Sequence, residues 1–220
     1  SRAYHTTSIL GIAVDSADNV TIVYARTSNL THKQYDADGN LNWSKDHGGT
    51  LNAVAVDADD NVYVGGNVVS SVSLRSYPAD GTDRWTASLR ATVNTVSVRD
   101  GRVCVGGARN ATYSTTHRVF STADGSSLWD GDHGTTINGS CWDAAGNLYV
   151  CGIRLSSVTT RKYNSSGTLQ WSRDYNGTTC NAVSVDPSDN AYIGSNVSTY
   201  SLRKYNSSGT EQWAKNIGVV

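Results

Sequence analysis

Five tryptophans recur through the chain at nearly equal intervals: Trp43, Trp85, Trp129, Trp171 and Trp213 stand 42 or 44 residues apart. Five aspartates keep the same beat, Asp15, Asp57, Asp100, Asp143 and Asp186, 42 or 43 residues apart. Four residues before each Trp stands a Gly: Gly39, Gly81, Gly125, Gly167 and Gly209. Ahead of that comes a basic residue and, two positions on, an aromatic one: Lys33/Tyr35, Arg75/Tyr77, Arg118/Phe120, Arg161/Tyr163 and Arg203/Tyr205. Residues 161–168 and 203–210 are identical, RKYNSSGT. A fixed period of this length means an array of like units, each burying on its neighbour a face it cannot bury alone.

Within a unit the apolar residues alternate. Val54/Val56 and Val62/Val64 have period two, which is strand and not helix. The second repeat reads as strands near Asn52–Asp57, Val62–Gly66, Ser71–Tyr77 and Arg84–Leu89. Turn chemistry separates them, as in Ala58-Asp-Asp-Asn and Pro78-Ala-Asp-Gly. Four strands in about 43 residues, five times over, is the arithmetic of propeller blades. The expectation is an all-β chain, a five-bladed β-propeller with four antiparallel strands per blade. It forms one domain, 1–220, with blades near 8–47, 50–89, 92–133, 136–175 and 179–217. Residues 1–7 (SRAYHTT) align with the segment after a blade Trp, Ser172–Thr179 (SRDYNGTT). They are expected at the seam where blade 5 meets blade 1 and the ring closes; the competing reading is a piece of a longer array, which would leave two raw blade faces.

Composition narrows the function classes. The 220 residues carry a net charge of −1, from 18 Lys and Arg against 19 Asp and Glu. A nucleic-acid binder needs clustered cations, so that class is disfavoured. No apolar run reaches the length of a membrane helix, and Ser1 opens no signal-peptide pattern. Cys104, Cys141, Cys151 and Cys180 lack zinc-ligand spacing. Cys141 and Cys151 flank one hairpin and are near enough to bridge; the other reading makes all four apolar fillers of strand positions.

The pattern A-V-D-x-x-x-N-x-Y-V-x-G…K/R-x-Y-x-x-x-G-x-x-x-W resembles the SBBP-type β-propeller repeat of bacterial secreted and surface proteins. The stretch Tyr35–Trp43 (YDADGNLNW) is similar to the tryptophan-docking motif of quinoprotein-like propellers. The resemblance spans essentially the whole chain and implies architecture rather than activity. Quinoprotein dehydrogenases use larger rings with an adjacent cysteine pair and a metal site; this chain has neither, so no cofactor is expected.

Comparing the five repeats with one another separates scaffold from candidate site. A residue present in every blade serves the blade: the late Trp, the turn Gly, the Asp and the basic residue. The turn joining one blade to the next varies, and it carries His5, His47 and His133, with Asn176 at the same place in another blade. A few residues on stand Asn52, Asn94, Asn138 and Asn181. Together they suggest a polar rim round one mouth of the channel. The loop between second and third strands, on the same face, carries Arg26, Arg109 and Arg154, with Tyr113 nearby. Arg and Tyr on one face suit glycan or protein contacts. Trp142 replaces an inner-strand Val and is expected in the core.

No nucleophile elbow, zincin, Walker or dinucleotide motif occurs. No catalytic residue and no metal site is therefore assigned. The expectation is a non-enzymatic binding module, a monomer without cofactor, nucleic acid or membrane insertion, that holds a glycan or protein partner on its loop face. The alternatives are a purely structural or engineered propeller and, with least support, a polysaccharide hydrolase or lyase. The setting expected is extracellular, cell-surface or virion-associated, in a bacterium or phage.

Overall fold

The computed structural model describes residues 8–25, 31–109, 112–154, 157–176, 179–196 and 201–217. Its strands are Ile9–Val14 (β1), Val20–Tyr24 (β2), His32–Tyr35 (β3) and Leu41–Lys45 (β4) in blade 1. Blade 2 has Leu51–Val56 (β5), Val62–Val69 (β6), Val72–Tyr77 (β7) and Trp85–Ala87 (β8). Blade 3 has Val93–Arg99 (β9), Arg102–Gly107 (β10), His117–Ser121 (β11) and Ser127–Gly131 (β12). Blade 4 has Thr136–Trp142 (β13), Leu148–Arg154 (β14), Ser157–Tyr163 (β15) and Leu169–Asn176 (β16). Blade 5 has Thr179–Val185 (β17), Ala191–Asn196 (β18), Leu202–Tyr205 (β19) and Glu211–Lys215 (β20). Each blade is an antiparallel meander in chain order, and the fold is a five-bladed β-propeller.

Local chemistry sets the registers. In the turn after β1, Asp15 Oδ1 accepts from the backbone N–H of Ala17 (3.0 Å) and of Asn19 (2.8 Å). The Asn19 side-chain amide then donates to Asp15 Oδ2. Asp57/Asn61, Asp143/Asn147 and Asp186/Asn190 repeat the clamp. An Asp that bonds its own backbone ahead is a turn built into the strand end. Blade 3 departs from the pattern. Asp100 and Gly101 form a two-residue hairpin at φ 47° and 75°, pairing Arg99 with Arg102. Asp100 keeps the spacing of the other four aspartates but not their role.

Four apolar clusters fill four junctions. Blades 1 and 2 share Val23, Leu51, Val62, Val64 and Tyr77. Blades 2 and 3 share Tyr63, Leu74, Val93, Val96 and Val105. Blades 3 and 4 enclose Val119, Ile137, Leu148 and Trp142, which lies in the core as expected. Blades 4 and 5 enclose Tyr149, Cys151, Trp171, Cys180 and Ile193. None of the four cysteines is in a disulfide and three are fully buried, so Cys141 and Cys151 form no bridge. Burial pushes the Cys141 thiol up to about 12.

Two polar devices repeat at these junctions. The blade Trp lies under the Gly turn of the next blade, and a Cβ on Gly81, Gly125, Gly167 or Gly209 would meet its ring at 2.6–2.7 Å. The indoles of Trp43, Trp85 and Trp171 donate to Ala79, Thr122 and Ser207 carbonyls of that turn. On the inner strands, Asn52, Asn94 and Asn138 donate to the carbonyls of Val93, Ile137 and Cys180 in the next blade.

The junction from blade 5 to blade 1 differs. Among the described residues no heavy atom stands within 4 Å of the Cβ direction on Gly39, where the pattern would seat Trp213. Ile9, Ile12 and Val14, which match buried or half-buried inner-strand positions elsewhere, are 60%, 65% and 54% exposed. No apolar cluster joins these two blades among the described residues. Among the described residues no fifth junction is seen at the expected ring seam, and residues 1–7, placed there by the sequence, lie outside the described residues.

Candidate functional site

The histidines of the blade-joining turns belong to the scaffold. His47 and His133 are 1% and 0% exposed. Each is drawn inward by its own backbone N–H, which donates to Thr31 Oγ1 (2.8 Å) or Thr116 Oγ1 (2.7 Å). Ser73 Oγ receives the N–H of Leu89 in the same way. Arg75 donates from Nε to His47 Nδ1, and His47 Nε2 lies 3.1 Å from the Asn67 carbonyl. Burial, with Arg161 nearby, pulls His133 down to about 3, and burial also lowers His47. Neither forms a rim. Three of the four Asn are likewise spent, since Asn52, Asn94 and Asn138 bind the next blade's backbone, while Asn181 is exposed. His5 and Arg26 lie outside the described residues. Asn176 ends β16 with its backbone paired to Ser157.

Arg109 and Arg154 do reach the surface, and the same turn engages both. Arg109 lies 3.6 Å from Asp132 and donates to the Gly134 carbonyl. Arg154 packs its stem on Gly134 and lies 3.6 Å from Asp174. Arg161 donates to the Asp132 carbonyl at 2.7 Å. The result is a belt of alternating charge across the junction of blades 3 and 4. Its half-exposed ion pairs are solvated and worth little to stability.

Tyr113 belongs to a different feature. A groove of about 680 Å³ runs between the outer strands of blades 2 and 3. Ser71, Thr86, Ser88, Arg90, Tyr113 and Arg118 line it. The Arg90 guanidinium stands 4.5 Å over the Tyr113 ring, and Tyr113 is 40% exposed. Arg118 donates to the Ser88 carbonyl and pairs with Asp130 at 3.0 Å. The groove thus offers a cation stacked on an aromatic face, a second guanidinium and the hydroxyls of Ser71, Ser88 and Ser127.

The backbone marks the same place. Among the described residues seven non-glycine positions have positive φ. Four are aspartates in the lower turns, a residue type that tolerates this region. The other three are Ser70 (49°), Ser71 (68°) and Arg90 (66°), and Ser71 and Arg90 line the groove. At the position of Arg90 blades 1 and 3 end on Gly48 and Gly134, both with positive φ. An Arg there costs about 1–2 kcal/mol of backbone strain. Comparing repeats at this turn finds Arg90, but a search for His and for Arg in the neighbouring loop passes over it.

Among the described residues no three His, Cys, Asp or Glu side chains converge on one point where a metal could sit.

No protein-family model matches the chain, and no curated protein matches it. Solved structures match in number: 559 chains share the fold, which makes fold alone a weak guide to function. One, from a structure titled "Crystal Structure of Mitotic Checkpoint Complex", superposes with a TM-score of 0.78 at 16% identity over 96% of this chain. This chain spans 64% of that one's length. Another is a protein of unknown function from Bacteroides caccae, with a TM-score of 0.65 at 14% identity, covering 96% of this chain and 82% of that one. At these identities the likeness concerns the fold.

Proposed function

We propose that this chain is a non-enzymatic recognition module that holds a short acidic stretch of a partner protein in the groove between blades 2 and 3. The observation that carries the reading is Arg90, a non-glycine residue at φ 66° where two other blades use glycine, stacked on an exposed Tyr113. Strain retained at a surface turn is explained by what the side chain does there. Arg stacked on Tyr is a common anchor in protein interfaces, and the guanidinium is the side chain whose planar fork matches a carboxylate. The Arg109–Arg154 belt would flank a longer partner. Membership of a protein assembly by the matched chain of the mitotic checkpoint structure agrees with this use of the fold. Kinship of the repeat with SBBP-type propellers, and an extracellular or virion-surface setting, belong to the same proposal.

A glycan is the second occupant, favoured by the serine hydroxyls beside the aromatic ring. Both can be put to one test. The purified chain and the variants Arg90→Gly and Tyr113→Ala are screened against a displayed random-peptide library and a glycan array. Enrichment of acidic peptides, lost with both variants, supports the proposal. Glycan binding lost with the same variants moves the ligand class. Binding unaffected by either variant, or none at all from a folded chain, removes the groove from consideration and leaves a structural role.

A further inference from the structure

The two ends of the blade array are the two halves of one junction. At each of the four made junctions, the leading blade supplies an outer-strand Trp and an inner-strand residue facing forward. The following blade supplies a Gly turn to receive the Trp and apolar inner-strand residues facing back. Val93 and Val96 of blade 3 take the second role, standing where a Cβ on Gly65 of blade 2 would meet them at 2.6 and 2.7 Å. Blade 5 presents the leading set. Trp213 stacks on Tyr192 at 6.1 Å within its own blade and is half-buried. Gly194 meets nothing nearer than 4.0 Å, and that contact is to its own blade. Asn181 stands exposed at the position from which Asn52, Asn94 and Asn138 bridge forward. Blade 1 presents the receiving set: Gly39 with an empty seat, and Ile9, Ile12 and Val14 more than half exposed.

We infer that blade 5 of one copy docks on blade 1 of a second copy, with Trp213 seated over Gly39 and Ile9 and Ile12 covered by the sheet that ends in Trp213. The occupant follows from complementarity: the face that fits blade 1 is the one with the Trp, Asn and Gly of the repeat, and blade 5 carries it. The contact is head to tail, joining unlike faces, so each copy offers one donor and one acceptor. An exposed apolar sheet face of this kind is an association site by its chemistry. The inference departs from the expected monomer, on the ground that the described residues hold no apolar cluster between blades 5 and 1.

Two variants separate the faces. Gly39→Asn disables the acceptor: Asn tolerates the φ of 81°, its Cβ meets nothing in the chain itself, and it fills the seat of the incoming Trp. Trp213→Ala disables the donor. Sedimentation velocity over a concentration series, with circular dichroism melts to confirm folding, should show the unaltered chain sedimenting as species of twice 23.5 kDa or larger. Each variant alone should be monomeric. An equimolar mixture of the two should form a dimer, because one intact donor and one intact acceptor remain. A monomeric unaltered chain overturns the inference. So does association that survives either variant, or a mixture that stays monomeric.

Discussion

Arg90 and the buried histidines show single side chains set against the backbone or the solvent. Replacing Arg90 by Gly relieves the positive φ and should raise stability by about 1 kcal/mol in urea unfolding. If the groove binds, the same change weakens binding, so stability and affinity move in opposite directions. A loss of stability would instead make Arg90 a structural residue. His32 and His117 sit in matching aromatic triads, His32 with Trp43 and Tyr77, His117 with Trp129 and Tyr163. Burial, with Arg161 near His117 and His47 near His32, lowers their pKa to about 3 and about 4. Both are therefore neutral in the fold and titrate near 6.5 once unfolded. A depressed folded pKa gives stability that is present above pH 6.5 and lost as pH falls toward 4. Each should cost about 2 kcal/mol at pH 5. Leu74 and Leu202 occupy the same strand position in other blades, and Nε2 of both His lacks a partner. The pair His32→Leu and His117→Leu should thus keep stability at pH 7 and flatten the fall to pH 5. Urea midpoints at the two pH values decide it; an unchanged slope would mean these rings are not the source. The sequence showed which turns held His47 and His133 but not their depth. Depth comes from the Thr31 and Thr116 hydroxyls, contacts 16 and 17 residues away that no local pattern displays.

A blade is stable only by what the next blade adds to it. Trp171 is buried among Tyr149, Tyr205 and the turn of Gly209, with its indole N–H on the Ser207 carbonyl. Trp213 has the same place in its blade, but among the described residues no following turn lies over it. Trp171→Ala should cost about 3–5 kcal/mol, the usual range for a core Trp. Trp213→Ala, measured at dilution, should cost less than about 1 kcal/mol. Equal losses would show that Trp213 already has a partner turn. Four strands per blade, five blades and a scaffold role for the recurring Trp were legible, because each depends on period and on contacts that recur. Ring closure is a different matter. Five like junctions in sequence say that neighbours fit; they do not say how far each blade is rotated from the last, and a fifth junction needs the rotations to sum to a full turn. Asp100 misled for a related reason: it kept the spacing, while the hairpin around it lost one residue and changed type.

Across the whole molecule, stability follows from nearest neighbours. Each blade has its own hydrogen-bonded ladder, and the free energy of the array is close to a sum over blades and junctions. Blades 2, 3 and 4 have an apolar cluster on both faces. Blade 1 has one, against blade 2, and blade 5 has one, against blade 4. Opening an end blade breaks one junction, whereas opening a middle blade breaks two. Native-state hydrogen exchange should therefore show a gradient: slowest in β10 and β14, fastest in β1 and β20, with local opening at the ends well below the global free energy. A sealed ring would give every blade two junctions and nearly uniform protection. The gradient also responds to association. If blade 5 of one copy covers blade 1 of another, protection of β1 rises with protein concentration while that of β10 stays constant. Gly39→Asn should abolish the rise in β1 and leave β10 unchanged, because only the outer junction has been altered.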